Sequence, residues 1–160
     1  MTDSHGTPGE RVAPGTAGLP DAAVTTRLAV CGAHLRGQPL NAFLMALDAT
    51  FVGVASTAPV YRMVALPATL ALPARPGLIR SVGRGASIEV ELYELPVRAM
   101  GALIVTVAPP LAVGTLDLDD GTQVLGFVCE SYAGHTSPDI TDHGAWRDYL
   151  ASGITPQVAW

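Results

Sequence analysis

Between Leu28 and Asn41 the chain passes from an apolar strand pattern, Leu28 to Cys31, through a glycine turn to a histidine and then into the start of a helix. A strand that hands over to a helix in so few residues commits the chain to mixed α and β structure. The turn leaves backbone N–H groups uncommitted, and the helix N-terminus adds partial positive charge to them. Such a corner suits a small anion, with Gly32, Ala33 and Leu35 supplying backbone and His34 standing in it as a proton donor. The alternative is a plain β-to-α turn with a solvated histidine.

The segments that follow are short. A helix is expected from Pro39 or Leu40 to Ala46, with Leu40, Leu44 and Leu47 on one face, then strands over Phe51–Ser56 and Tyr61–Leu66. Pro67 to Pro76 reads as a loop or edge meander, Leu78 to Val82 as a short strand, and Gly83-Arg-Gly85 as a turn without the length or lysine of a phosphate loop. Ser87 to Leu95 alternates, placing Ile88, Val90 and Leu92 on one side and Glu89, Glu91 and Tyr93 on the other. Pro96 opens a helix expected to reach Val107 before Pro109-Pro110 stops it. Leu116 to Cys129 has the form of a hairpin closed by Asp120-Gly121. A last helix, His143 to Ala151, is expected to turn Trp146 and Leu150 inward, with Thr141 or Asp142 as cap and Gly153 as stop. Strands outnumber helices without strict alternation. The expected class is α+β, a half-closed small mixed β-barrel with two or three helices packed outside.

Residues 1–25 are rich in Gly, Pro, Thr, Ser and Ala and are expected to form a disordered tail, with one folded domain over 26–155. The N-terminus lacks a basic region followed by an apolar block, and no apolar run approaches the ~20 residues of a membrane span, so a cytoplasmic protein without membrane partners is expected. The net charge is −5, and all nine basic residues are scattered arginines, which argues against nucleic acid. Only 14% of residues are charged against 49% hydrophobic, a balance that favours a sticky face and a homo-oligomer. Cys31 and Cys129 read as buried thiols, with a disulfide between neighbouring strands left open. No histidine has metal-site spacing to a cysteine, so no metal is expected.

Other residues carry possible chemistry. Tyr61-Arg62 opens a strand, where an arginine grips a carboxylate through paired hydrogen bonds and a tyrosine adds a third. Glu89 and Glu91 lie at i and i+2 on one strand face, as an interacting pair if buried or as solvated outer-face charges if not. Gln38 and Asn41 are amides suited to orienting a polar ligand, though Asn41 equally suits a helix cap. No serine has nucleophile-elbow surroundings and the chain contains no lysine, so it does not read as an amide hydrolase by itself.

Six segments occur in order: Gly32–Asn41, Thr57–Leu66, Pro76–Arg80, Ile88–Pro96, Gly126–Glu130 and Asp139–Tyr149. Together the series resembles the C-terminal domain of allophanate hydrolase, over nearly everything from Arg27 to Ala151. The resemblance implies a γ-glutamylcyclotransferase-like fold with a cavity at the first strand's end. In that family an amidase domain deaminates allophanate, and the C-terminal domain is thought to decarboxylate the N-carboxycarbamate produced. With no amidase domain in these 160 residues, the resemblance implies a free-standing relative beside a separate amidase, acting on a small carboxylate without cofactor. His34 or Tyr61 would supply the proton, and Arg62 with the Gly32–Leu35 backbone would hold the carboxylate. The alternative is a non-catalytic metabolite-binding or amidase-assembly module. True γ-glutamylcyclotransferases match less well: Val90–Leu95 resembles one of their strands, but Val97–Pro110 contains no acid to match their catalytic glutamate.

Overall fold

The computed structural model describes residues 24–154. The tail expected over 1–25 and the domain end expected at 155 therefore lie outside the described residues, apart from Val24 and Thr25. Among the described residues seven strands are present: β1 (Thr25–Val30), β2 (Thr50–Ser56), β3 (Tyr61–Leu66), β4 (Arg75–Arg80), β5 (Glu89–Pro96), β6 (Leu111–Asp117) and β7 (Gln123–Cys129). Four short helices join them: α1 (Asn41–Ala46), α2 (Met100–Ile104), α3 (Ala133–Thr136) and α4 (Trp146–Ala151).

Five strands form one mixed sheet in the order β2-β5-β1-β7-β6, with β1 parallel to β7 and every other pairing antiparallel. Central position explains the composition of β1 and β5. Leu28, Ala29 and Val30 are consecutive and all buried, as strands covered on both faces require. The alternation in β5 is present, but Glu91 and Tyr93 are as buried as Ile88 and Val90, so its second face is not solvated. Edge strand β2 leaves Val52 and Val54 exposed.

Strands β3 and β4 pair with each other and pack across the large sheet. Met63 and Ala65 enter the main core with Tyr93 and Trp146. Val64 and Leu66, on the other side of β3, join Ile79, Cys129 and Ala133 in a smaller cluster. The edges of the large sheet meet only at one corner, where the Ala58 N–H donates to the Asp117 carbonyl at 2.8 Å and the Asp119 N–H to that of Ser56 at 3.0 Å. The α+β class holds, and the barrel is not closed.

Several boundaries differ from those expected. Strand β4 begins at Arg75, inside the expected loop, because a two-stranded sheet leaves Pro76 a side that needs no N–H donor. Helix α2 ends at Ile104 rather than Val107. The β-branched run Ile104-Val105-Thr106-Val107 tightens it into i→i+3 bonds, and the Thr106 hydroxyl donates to the Leu103 carbonyl at 2.7 Å. Helix α3, one turn long, carries too few residues to show a period. In α4, Trp146 and Tyr149 face inward and Leu150 is exposed. Neither expected cap serves it: Ala145 is the N-cap, while Thr141 Oγ1 accepts the Met63 N–H at 2.9 Å. Gly121, at φ 84°, closes the β6–β7 hairpin as expected.

Candidate functional site

At the end of β1 the chain opens onto a cavity of about 280 Å³. Its walls come from the turn Cys31–His34, from α1, from the approach to β4, from the α2–β6 connection and from Phe127 on β7. The walls are overwhelmingly aliphatic and aromatic, and two of the groups that break this pattern are a base and a cation.

His34 is the base. Its ring stacks on Phe127 with centroids 5.1 Å apart and planes 12° from parallel. Among the described residues neither ring nitrogen has a hydrogen-bond partner, and burial pushes the imidazole down to about 4. At neutral pH the empty cavity therefore holds an uncharged imidazole.

Arg75 is the cation. It is only 8% exposed, and among the described residues its guanidinium makes a single hydrogen bond, from Nη1 to the Pro73 carbonyl at 3.3 Å. Among the described residues no carboxylate pairs with it. Burial lowers its proton affinity, but an arginine stays charged under any physiological condition. A buried guanidinium without a counter-ion is costly, and Arg75 faces a cavity that admits one.

The turn itself contributes donors. The N–H groups of Gly32, Ala33 and His34 have no acceptor among the described residues. Gly32 is required by a close approach: a Cβ there would stand 2.1 Å from Cδ of Pro76, next to Arg75. The contact presses the first turn against β4 and brings histidine and arginine to one cavity.

A buried polar network fixes the rest of the loop. Asn41 Nδ2 donates to the His34 carbonyl at 2.9 Å and to the Tyr93 hydroxyl at 3.0 Å. Tyr93 donates to Glu91 at 3.1 Å, and Glu91 also accepts the Arg36 N–H at 2.9 Å, Arg36 Nε at 3.1 Å and Arg147 Nη2 at 3.0 Å. Burial raises the proton affinity of Glu91, but these four donors outweigh it and hold the carboxyl below its usual range. Glu91→Gln is expected to cost about 2 kcal/mol, a discounted value because Arg36 and Arg147 remain partly exposed. The depressed carboxyl contributes stability above the unfolded value of about 4.3 and loses it as pH falls through the folded value. Urea titrations of both proteins should thus differ most above pH 5 and converge in acid.

The sequence-expected residues separate into groups. Gly32, Ala33 and His34 line the cavity, whereas Leu35 points into the core. Asn41 and Glu91 hold the loop rather than face the cavity. Glu89 is 43% exposed and lies 3.8 Å from Arg147. The Gln38 side chain makes no hydrogen bond among the described residues and is not in the cavity wall.

Tyr61 and Arg62 do not reach the cavity. The Tyr61 hydroxyl is buried and accepts the Asp117 N–H at 2.9 Å. Arg62 pairs with Asp139 at 2.8 Å, and Asp139 lines a separate cavity of about 270 Å³ with His143 and Tyr149. The cation at the cavity is Arg75, which sequence reasoning passed over inside a proline-marked loop. Cys31 and Cys129 are free, and burial pushes their thiols to about 12 and about 11, so neither is a thiolate at neutral pH. No helix among the described residues is long and apolar enough to cross a membrane.

The chain is thus an α+β protein whose mixed five-stranded sheet opens onto a cavity at the end of its first strand. Comparison with known proteins narrows this. The allophanate hydrolase C-terminal domain family matches residues 26–151, and the chain belongs to that family. It is similar to urea amidolyase of Saccharomyces cerevisiae, 36% identical over 133 residues that cover 81% of this chain and 7% of the relative. Its structure is similar to that of Kluyveromyces lactis allophanate hydrolase, with a TM-score of 0.75 and 34% identity over 81% of this chain and 21% of that one. It is also similar to a uropathogenic E. coli-specific protein, with a TM-score of 0.73 and 33% identity over 80% of this chain and 97% of that one. The chain thus spans a small part of the urea amidolyase it matches.

Proposed function

We propose that this domain acts in allophanate breakdown beside an amidase, decarboxylating N-carboxycarbamate or a close analogue in the cavity at the end of β1. The observation that carries the reading is the buried, unpaired Arg75 in the same apolar wall as the neutral His34. Family membership and the names of its relatives, urea amidolyase and allophanate hydrolase, support the choice of substrate.

In the proposed step one carboxylate is held by Arg75 and the other by the free N–H groups of Gly32–His34. The bond between nitrogen and one carboxyl carbon breaks, carbon dioxide departs, and the electron pair stays on nitrogen. His34 delivers a proton there, giving carbamate and a neutral imidazole. Charge balances with one proton and no electron acceptor. The dianion brings about the protonation it needs, because negative charge beside a desolvated imidazole favours the imidazolium.

Binding and proton uptake are therefore linked. The pKa of His34 is about 4 in the empty cavity and rises when a dianion enters, so uptake occurs between the free and bound values. Malonate, with a methylene in place of the nitrogen, is the stable probe. Calorimetry at pH 6 in two buffers of different ionisation enthalpy should show more protons taken up per malonate bound by the wild type than by His34→Ala. Binding without uptake removes His34 as the proton donor. For turnover, the test is carbon dioxide release from allophanate by an amidase with and without this domain. Faster release is expected, and an unchanged rate contradicts the proposal.

A second reading, a module that binds a metabolite or holds an amidase assembly without turnover, draws on the exposed Val52 and Val54 along the open β2 edge. Sedimentation and pull-down with an amidase test it. A monomer that ignores the amidase counts against it.

A further inference from the structure

The cavity is larger and more apolar than a bare dicarboxylate needs. At about 280 Å³ it approaches the roughly 300–1,000 Å³ of sites that take drug-sized ligands, well above what N-carboxycarbamate fills. The polar groups gather at the Gly32–His34 turn and Arg75. Apart from Thr106, whose hydroxyl donates to the Leu103 carbonyl, the remaining wall is apolar and includes Leu40, Phe43, Leu72, Val107, Leu111 and Phe127, with no second charged side chain. Water confined against such a wall finds few partners, and a ligand that leaves it there forgoes the gain of releasing it.

We propose that the acid this cavity takes carries an apolar substituent of roughly four to seven carbon atoms on the atom between its two carboxyl groups. The inference rests on the carboxylate-binding reading of the site and names the class of substrate within it. The anionic end lies against Arg75 and the turn, and the substituent against Leu72, Val107 and Leu111. Each methylene moved from water to this wall should tighten binding about fourfold.

The test is calorimetric titration of the protein with malonate, isobutylmalonate and benzylmalonate, repeated on Leu72→Gln. Leu72 lies half-buried in the connection before β4, where a polar side chain is compatible with folding. The expected result is benzylmalonate at least about tenfold tighter than malonate, with most of that advantage lost in Leu72→Gln and malonate affinity unchanged. Malonate binding as tightly as the substituted acids overturns this inference and leaves the proposed reaction standing. A tenfold preference that survives Leu72→Gln overturns the assigned wall. If none of the three binds, the carboxylate reading falls as well.

Discussion

Replacing His34 by alanine should lower amidase-coupled carbon dioxide release about 10²- to 10⁴-fold, the range over which a positioned proton donor contributes. The loss should fall on kcat, because Arg75 and the turn amides remain to bind the acid. Small imidazoles should restore part of the rate, since the deletion empties space inside the cavity beside Phe127. A histidine that merely filled the wall would give no such rescue. The fold supplies an independent check. The pKa of His34, about 4, lies below its unfolded value near 6.5, so the unfolded chain binds more protons between these limits and wild-type stability rises with pH across them. In His34→Ala that rise should be smaller by about 2 kcal/mol, read from urea titrations at pH 4.5 and 7.

Arg75→Met should separate binding from stability. Methionine keeps much of the apolar stem and removes a buried charge whose only hydrogen bond among the described residues is to Pro73. Stability should stay level or rise by about 1 kcal/mol, because an unpaired buried charge costs more than it returns in the empty protein. Malonate affinity should fall about 30- to 150-fold, the worth of a charge-assisted hydrogen-bonded pair. Arg75→Lys, which keeps the charge without the planar fork, should retain an intermediate affinity. A destabilised Arg75→Met with unchanged malonate binding would assign the arginine to the fold instead.

How the sequence foreshadowed these two residues differs, for a physical reason. The Leu28–His34 run signals its own role locally: apolar strand, glycine turn, histidine and helix are adjacent in the chain, and so they are in the cavity. Arg75 becomes a site residue only because Pro76 packs on Gly32, more than forty positions away, and nothing within Pro67–Pro76 marks that contact. Arg62 has the stronger local credentials, at a strand mouth after a turn, yet Asp139 satisfies it. Tyr61 likewise looks like a donor in sequence, yet its ring is buried in the core outside the cavity wall, with its hydroxyl accepting the Asp117 N–H. For β5 the alternation was legible, but whether Glu91 faced water depended on Arg36, Arg147 and Asn41 arriving from other elements. Local chemistry named the turn, and long-range packing decided which charges were left free.

The central claim is that a compact acid docks on the turn after β1 opposite Arg75. Backbone amide NMR during a malonate titration reads this most directly. The account predicts downfield shifts of the Gly32, Ala33 and His34 N–H signals that saturate together and disappear in Arg75→Met. Signals at those positions that stay still, or shifts confined to Arg62 and Asp139, would contradict it.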